Sequence, residues 1–297
     1  MLQVNGATPL WTAARALLND RGDDFKRRLA QVLTTFDPED IHDLRVSSRR
    51  MREGLVLFAP CYPPGALSRL VKTFKKVTRL LGEIRNNDET ILFFASIHDK
   101  VNECCRSEID RFLTTCRILR GDEVRGLKTG LKKISAAKLC AHYRRVVNSP
   151  SLFAPLAAGV DLLAPLADFA QDRLSSRLAL ILQRVPAASQ EENTAAQHQL
   201  RIAVKHFRYC LEILSFMLGK SYPELHTTVK KYQELLGRMH DLDVFATVSR
   251  ETDFSLSTAE LVTKEIAVQR GNHFDEFTVL LKKRPFESIG EQLRNIL

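Results

Sequence analysis

HDLRVSSRRMREGLVLF, residues 42–58, is echoed by HQLRIAVKHFRYCLEIL at 198–214. Both copies carry His-x-Leu-Arg-(Val/Ile)-x-x-(Arg/Lys)-x-x-Arg. A second landmark follows each in the same order, LLGEIRNND at 80–88 and LLGRMHDLD at 235–243. From histidine to glycine the first copy runs 40 positions (His42 to Gly82) and the second 39 (His198 to Gly237), a one-residue difference in a loop. Two landmarks kept in order predict a duplicated helical unit.

A helix turns about 100° per residue, so His42, Arg45, Arg49 and Arg52 fall within an arc of roughly 80°. They form one basic stripe. Leu44, Met51, Leu55 and Phe58 lie nearly opposite and supply the apolar face that a bundle buries. Arg50 points away from the stripe. The second copy repeats the geometry with His198, Arg201, Lys205 and Arg208 as the stripe, and Leu200, Phe207, Leu211 and Leu214 for packing.

The following helix extends the pattern: Lys72, Lys75, Lys76 and Arg79 share an arc of roughly 100°. In the second copy His226, Lys230 and Lys231 continue it, but Glu234 stands where Arg79 stands, which makes the second half the weaker binder. A solvated helix face usually interleaves carboxylates with its cations for pairing one turn apart. Neither stripe on the repeated helix holds one. Like charges at three- and four-residue spacing repel, so the stripes make most sense with an anion to offset them. Consecutive helices that turn their stripes together build a basic groove. Arginine forks and lysine ammonium groups both suit phosphate oxygens, and a histidine titrating near neutrality adds charge as pH falls. The implied ligand is long, flexible and phosphate-like.

The rest of the chain fits this reading. With 297 residues it can bury a full core, and its net charge of +9 with a pI near 9.3 raises the expectation of a polyanionic partner. Apolar residues recur at three- and four-residue intervals and strand-like alternation is scarce, so the fold class is all-α. Helix punctuation falls at Asp37-Pro38, Pro60, Pro63-Pro64-Gly65, Gly121, Ser149-Pro150, Pro186, Gly219 with Pro223, and Arg284-Pro285. About a dozen helices packed as antiparallel bundles follow from it. The seam between halves is expected within Asn148 to Pro155, giving a first bundle over 1–150 and a second over 151–297.

Six cysteines at 61, 104, 105, 116, 140 and 210 show no paired spacing, which suits reduced thiols. The first twenty residues lack the build of a signal peptide and no stretch is long and apolar enough for a membrane span. The expectation is a cytoplasmic protein.

On these residues the sequence resembles the CHAD family, the conserved histidine alpha-helical domain. The family's repeated His-x-x-Arg-x-x-x-(Arg/Lys)-x-x-Arg helix is matched at 42–52 and 198–208. Its LG-x-x-x-D-x-D-type segment is matched well at 236–243 and in part at 81–88. The resemblance spans most of the chain. It implies two pseudo-symmetric helical bundles around a basic cavity or pore, and binding of inorganic polyphosphate, with association with polyphosphate granules as a further expectation. By that resemblance His42, Arg45, Arg49, Arg52, Lys72, Lys75, Lys76 and Arg79 form the first polyphosphate-binding surface. His198, Arg201, Lys205, Arg208, Lys230 and Lys231 form the second. Asn87 in the acidic turn of the first copy and Glu234 in the second are departures from the pattern.

Asp88, Asp241 and Asp243 read as helix caps or as carboxylates that hold basic side chains in place, not as catalytic groups. The chain holds no P-loop, GxGxxG, HExxH or GxSxG motif, and no Glu-x-Glu-x-Lys signature of the triphosphatase-type domain that accompanies some CHAD proteins. His98, Cys104 and Cys105 lack the spacing of a zinc site. A binding protein without catalytic residues, cofactor or metal is therefore expected. Two other readings stay open: nucleic-acid binding, for which the stripes offer few stacking aromatics, and a metal-dependent enzyme acting on phosphate polymers. A weaker third is docking of the basic faces on acidic proteins. The run RGLKTGLKKISAAKLCAHYRR at 125–145 is read as an addition to the groove, as a contact with a separate anionic surface, or as an ordinary solvated face.

Overall fold

The computed structural model describes residues 3–98, 100–149 and 160–296, and every named element in it is helical. Among the described residues there are ten α-helices: α1 (Leu10–Thr35), α2 (Pro38–Leu57), α3 (Ser68–His98), α4 (Glu103–Lys133), α5 (Ala136–Val147), α6 (Leu166–Ala188), α7 (Thr194–Ile213), α8 (Tyr222–Glu251), α9 (Leu256–Lys283) and α10 (Phe286–Ile296). The expected breaks appear where capping chemistry supports them. Asp37 accepts a hydrogen bond from the Glu39 backbone N–H at 2.9 Å and Pro38 opens α2. Asn193 caps α7 through the Ala196 N–H at 3.0 Å.

Gly121 was expected to end a helix and does not: α4 runs through it from Glu103 to Lys133. A glycine inside a helix costs about 1 kcal/mol relative to alanine. Burial of Ile109, Leu113, Cys116, Leu127 and Leu131 along α4 outweighs that cost. Uninterrupted long helices are one reason that ten α-helices stand where about a dozen were expected.

The repeat is visible in the packing. Helices α1 to α4 pack each on the next and α5 returns to α1, while α6 to α9 do the same and α10 returns to α6. The repeated helices α2 and α7 begin and end 156 positions apart. Their apolar faces are buried as the periodicity predicts: Leu44, Met51, Leu55 and Phe58 are 0% exposed, and so are Leu200, Phe207, Leu211 and Leu214. Each such side chain contributes about 1.5–3 kcal/mol on leaving water.

Several contacts join the halves. First, α1 and α6 both start after a proline with no side-chain cap. The Leu10 and Trp11 N–H groups donate to the Ala164 and Leu162 carbonyls at 2.9 and 3.0 Å, while Leu166 and Ala167 donate to the Thr8 and Gly6 carbonyls at 2.9 and 3.0 Å. Each lead-in segment thereby satisfies the other helix's orphan donors. Second, α2 packs on α7. Third, a separate core joins the far ends of α3 and α4 to α8 and α9, with the Phe93 and Phe245 rings stacked at 4.5 Å. The larger core draws residues from both halves, including Phe58 stacked on Phe169 at 5.8 Å. The expected seam, Asn148 to Pro155, lies outside the described residues except for Asn148 and Ser149. No helix among the described residues is long and apolar enough to cross a membrane.

Candidate anion-binding site

The α2–α7 contact brings the two stripes face to face. Arg45 is held below the ordinary arginine value, at about 10, by burial first and then by Arg49, Arg85 and Arg201. Arg201 is lowered by burial and by Arg49, against the pull of Asp241. Lys205 is pushed down to about 8 by burial and by Arg49, Arg201 and Arg52. Its fall from 10.5 corresponds to roughly 3 kcal/mol of destabilised ammonium. Cations from both halves therefore act on one another as a single cluster. Its members lie on α2 and α7, and Arg85 of α3 and Asp241 of α8 act on them.

Arg45, Arg49, Arg52, Arg201 and Lys205 have no ion pair with a carboxylate among the described residues, and Arg45 Nε is buried without a partner. Arg49 rests over the Tyr209 ring at 5.5 Å and Arg208 over the same ring at 5.0 Å. Tyr209 is itself buried. Two clefts open beside the cluster. One of about 250 Å³ is lined by His42, Arg45, Arg85 and Asp88, the other of about 400 Å³ by Arg21, Arg50, Tyr209, Glu212 and His226.

Other predicted cations either have partners already or lie away from the cluster. Arg208 donates to Glu212 at 2.6 Å and to Gln233 at 2.7 Å, and Arg50, off the stripe as expected, donates to Glu212 at 3.0 Å. His226 meets the same carboxylate at 3.3 Å. Lys230 and Lys231 are exposed and pair with Glu234 at 3.5 Å and Glu276 at 3.6 Å. Lys75 and Arg79 lie on the exposed side of α3, with Glu83 at 4.0 Å from Arg79. Lys72 and Lys76 line a third cleft, against α4 and α5, which contains no residue of α2 or α7. The buried residues Leu70, Phe74, Val77, Leu81 and Ile84 set the roll of α3 and turn Lys76 roughly 180° from Arg85.

The second-copy histidine is held below the near-neutral range in the free protein. His198 Nδ1 lies 3.2 Å from His240 Nδ1. His198 is lowered by burial, Arg201 and Lys205, and His240 is pushed to about 4 by burial and the same two cations together with His198. Both rings are neutral at pH 7 in the free protein.

Asp88 holds Arg120 of α4 and Asp243 holds Arg270 of α9 at 2.7 Å, so these two carboxylates position arginines from inside their helices and do not cap helix ends. Asp241 differs: it sits inside the cluster, raised by burial and lowered by Arg201, Arg85 and Arg45. In register with the second copy it is Asn86, not Asn87, that stands where Asp241 stands. Asn87 instead donates to the Cys116 carbonyl at 3.0 Å. Among the described residues no three His, Cys, Asp or Glu side chains gather where they hold a metal ion.

Sequence reading missed Arg85, His240 and Glu53. Arg85 and His240 occupy the same place in the two copies of the second landmark, a basic pair that was available as a signal. Glu53, 1% exposed, lies under the cluster at 2.7 Å from His206 Nδ1 and 3.4 Å from Arg177. The Thr-Pro-Leu and Ala-Pro-Leu starts of α1 and α6, 156 positions apart, are a third landmark of the repeat.

Comparison with known proteins agrees with the all-helical fold. The sequence profile described as the CHAD domain matches residues 12–250. The chain is similar to the crystal structure of the CHAD domain from the plant Ricinus communis, at 21% identity and a TM-score of 0.65, over 99% of this chain and 94% of that one. It is also similar to PptA from Streptomyces chartreusis, at 18% identity and a TM-score of 0.65, over 93% of this chain and 99% of that one. No curated protein sequence matches. The fold likenesses and the profile, which spans both copies of the His–Arg helix and both copies of the second landmark, place this chain in the CHAD domain family.

Proposed function

We propose that the protein binds inorganic polyphosphate in a basic groove between its two halves and performs no chemistry on it. The observation that carries the reading is the cluster of Arg45, Arg49, Arg52, Arg201 and Lys205, drawn from both halves and making no ion pair with a carboxylate among the described residues although Asp241 sits among them; burial and mutual repulsion push Lys205 down to about 8. A row of phosphates relieves that repulsion and satisfies the arginine forks. Arg85 and His198 extend the groove along the α3 and α7 walls. Asp88 and Asp243 each hold an arginine, which supports positioning roles for both. Polyphosphate is favoured over nucleic acid because the aromatic ring at the site, Tyr209, is covered by Arg49 and Arg208 and offers no free face for a base. A cytoplasmic location, on polyphosphate granules where they form, accords with this ligand.

Competition at physiological salt tests the reading. Single- or double-stranded nucleic acid is expected to leave bound polyphosphate in place at equal phosphate concentration. Displacement at equal concentration would transfer the function to nucleic acid.

Binding should also take up protons. A phosphate chain favours the charged forms of His198 and His240, raising both from their lowered values, so affinity rises as pH falls from 7 toward 5.5. Above about 8 the free Lys205 loses its proton and affinity falls. Calorimetric titrations in buffers of different ionisation enthalpy measure the uptake. Proton release, or none at either pH, contradicts the assignment of these groups to the groove.

A further inference from the structure

The cleft that takes Lys72 and Lys76 is lined by cations from three helices. Its cavity of about 690 Å³ is lined by Arg69, Lys72 and Lys76 of α3, Lys133 of α4, and Lys138, His142 and Arg145 of α5. No carboxylate lines it. Ser135 caps α5 there, accepting from the Lys138 N–H at 3.3 Å, so the positive end of the α5 dipole faces the same space. His142 Nδ1 lies 3.1 Å from Arg145, and its Nε2 is shielded from solvent without a partner. At the corresponding place in the second half, the first turn of α8 and the end of α9, Glu224 pairs with Arg284 at 2.5 Å. The first half alone gathers its cations there without acid to offset them.

A path of cations leads to this cleft from the central groove. Arg85 marks the groove side of α3, and Lys76 and Arg69 face the cleft roughly half a turn around the helix. Between them Lys75 and Arg79 are exposed on the outer side, Arg79 with Glu83 at 4.0 Å. The distance along α3 from Arg85 to Lys72 is about 20 Å at the helical rise, a span that a flexible phosphate chain covers with every few phosphates near a cation.

We propose that the α3–α4–α5 cleft is a second anion site that takes a further stretch of the same polyphosphate chain, so that one protein grips a long chain at two places. This rests on polyphosphate binding in the central groove. It assigns the basic run at 125–145 to a separate surface, and it makes length the property the protein reads. Two sites on one chain multiply affinity through effective concentration, so chains long enough to reach both bind more tightly than chains that fill one.

The test compares a short polyphosphate that fills only the groove with a chain several times longer, on the full-length protein and on Lys133→Gln/Lys138→Gln/Arg145→Gln. All three side chains are exposed and none belongs to the central cluster. The wild type is expected to prefer the long chain by at least about 10-fold. The triple variant should bind the short chain as the wild type does, which also reports its folding, and lose the long-chain preference. The salt dependence of long-chain binding should fall by about 2 in slope for three lost phosphate contacts.

Unchanged long-chain affinity and slope in the triple variant overturn the second site while leaving the groove intact. Equal weakening for short and long chains overturns it too, because the cleft is then part of the first contact. Loss of single-stranded nucleic-acid binding with long polyphosphate unaffected assigns the cleft to nucleic acid and overturns the proposal. Failure of the wild type to bind either polyphosphate removes the groove reading and this one with it.

Discussion

The double substitution Arg49→Glu/Lys205→Glu is expected to lower polyphosphate affinity about 1,000-fold or more while the protein remains folded. Each charge-assisted hydrogen bond to phosphate contributes roughly 1.5–3 kcal/mol, and reversal adds repulsion to the loss. About 4 kcal/mol for the pair corresponds to three decades in affinity. The residues come from different halves, and each opposes the other's charge. The same arithmetic gives a second, opposite effect on stability. Lys205 sits in the cluster at a cost of roughly 3 kcal/mol to its charged form, so the neutral Lys205→Met should melt several degrees higher than the wild type without ligand and bind more weakly. A residue kept at a cost to stability is expected where a ligand repays it. A fall in melting temperature for Lys205→Met, with affinity unchanged, would make Lys205 structural.

Glu53→Ala is expected to destabilise the fold by about 3 kcal/mol, read by denaturant unfolding. The carboxylate is 1% exposed, and removing it leaves Arg177 and His206 without their shared acceptor beneath an already cationic cluster. The lower end of the range for broken buried pairs applies, because Arg177 and His206 are 19% and 36% exposed and water partly replaces the lost bond. Burial alone would raise the Glu53 carboxyl, but the His206 hydrogen bond and the charges of His206, Arg177 and Arg52 bring it below its ordinary value. The stabilisation it contributes is therefore complete above the unfolded value near 4.3 and is lost as pH falls through the lower native value. An acid-unfolding curve for Glu53→Gln that overlays the wild type in that window would remove Glu53 from this role.

The fold was legible because its periodicity and its duplication agree. Leu44, Met51, Leu55 and Phe58 could be assigned to the core from spacing alone, and their counterparts 156 residues on have the same burial. Gly121 was misread because a local helix-breaking tendency of about 1 kcal/mol is small beside the packing of a 31-residue helix. In the site, the repeated stripes held Arg45, Arg49, Arg52, Arg201 and Lys205, cations that the fold brings close enough to act on one another. The roll of α3 was available in the spacing of Leu70, Phe74, Val77, Leu81 and Ile84 but was not used to separate its cations. That apolar face sends Lys72 and Lys76 to the α5 side while bringing Arg85 to the groove. Spacing could not show that Arg208 is spent on Glu212, or that two histidines meet within 3.2 Å across α7 and α8. Both follow from contacts between helices that only the folded chain brings together.

The central claim is that the two stripes make one site. Its most direct measurement is the stoichiometry and affinity of a short polyphosphate, by calorimetry, for the wild type, Arg45→Gln/Arg49→Gln and Arg201→Gln/Lys205→Gln. One chain per protein, with binding strongly weakened by either pair alone, is the predicted result. Two chains per protein, each lost with the pair on its own half, would contradict it.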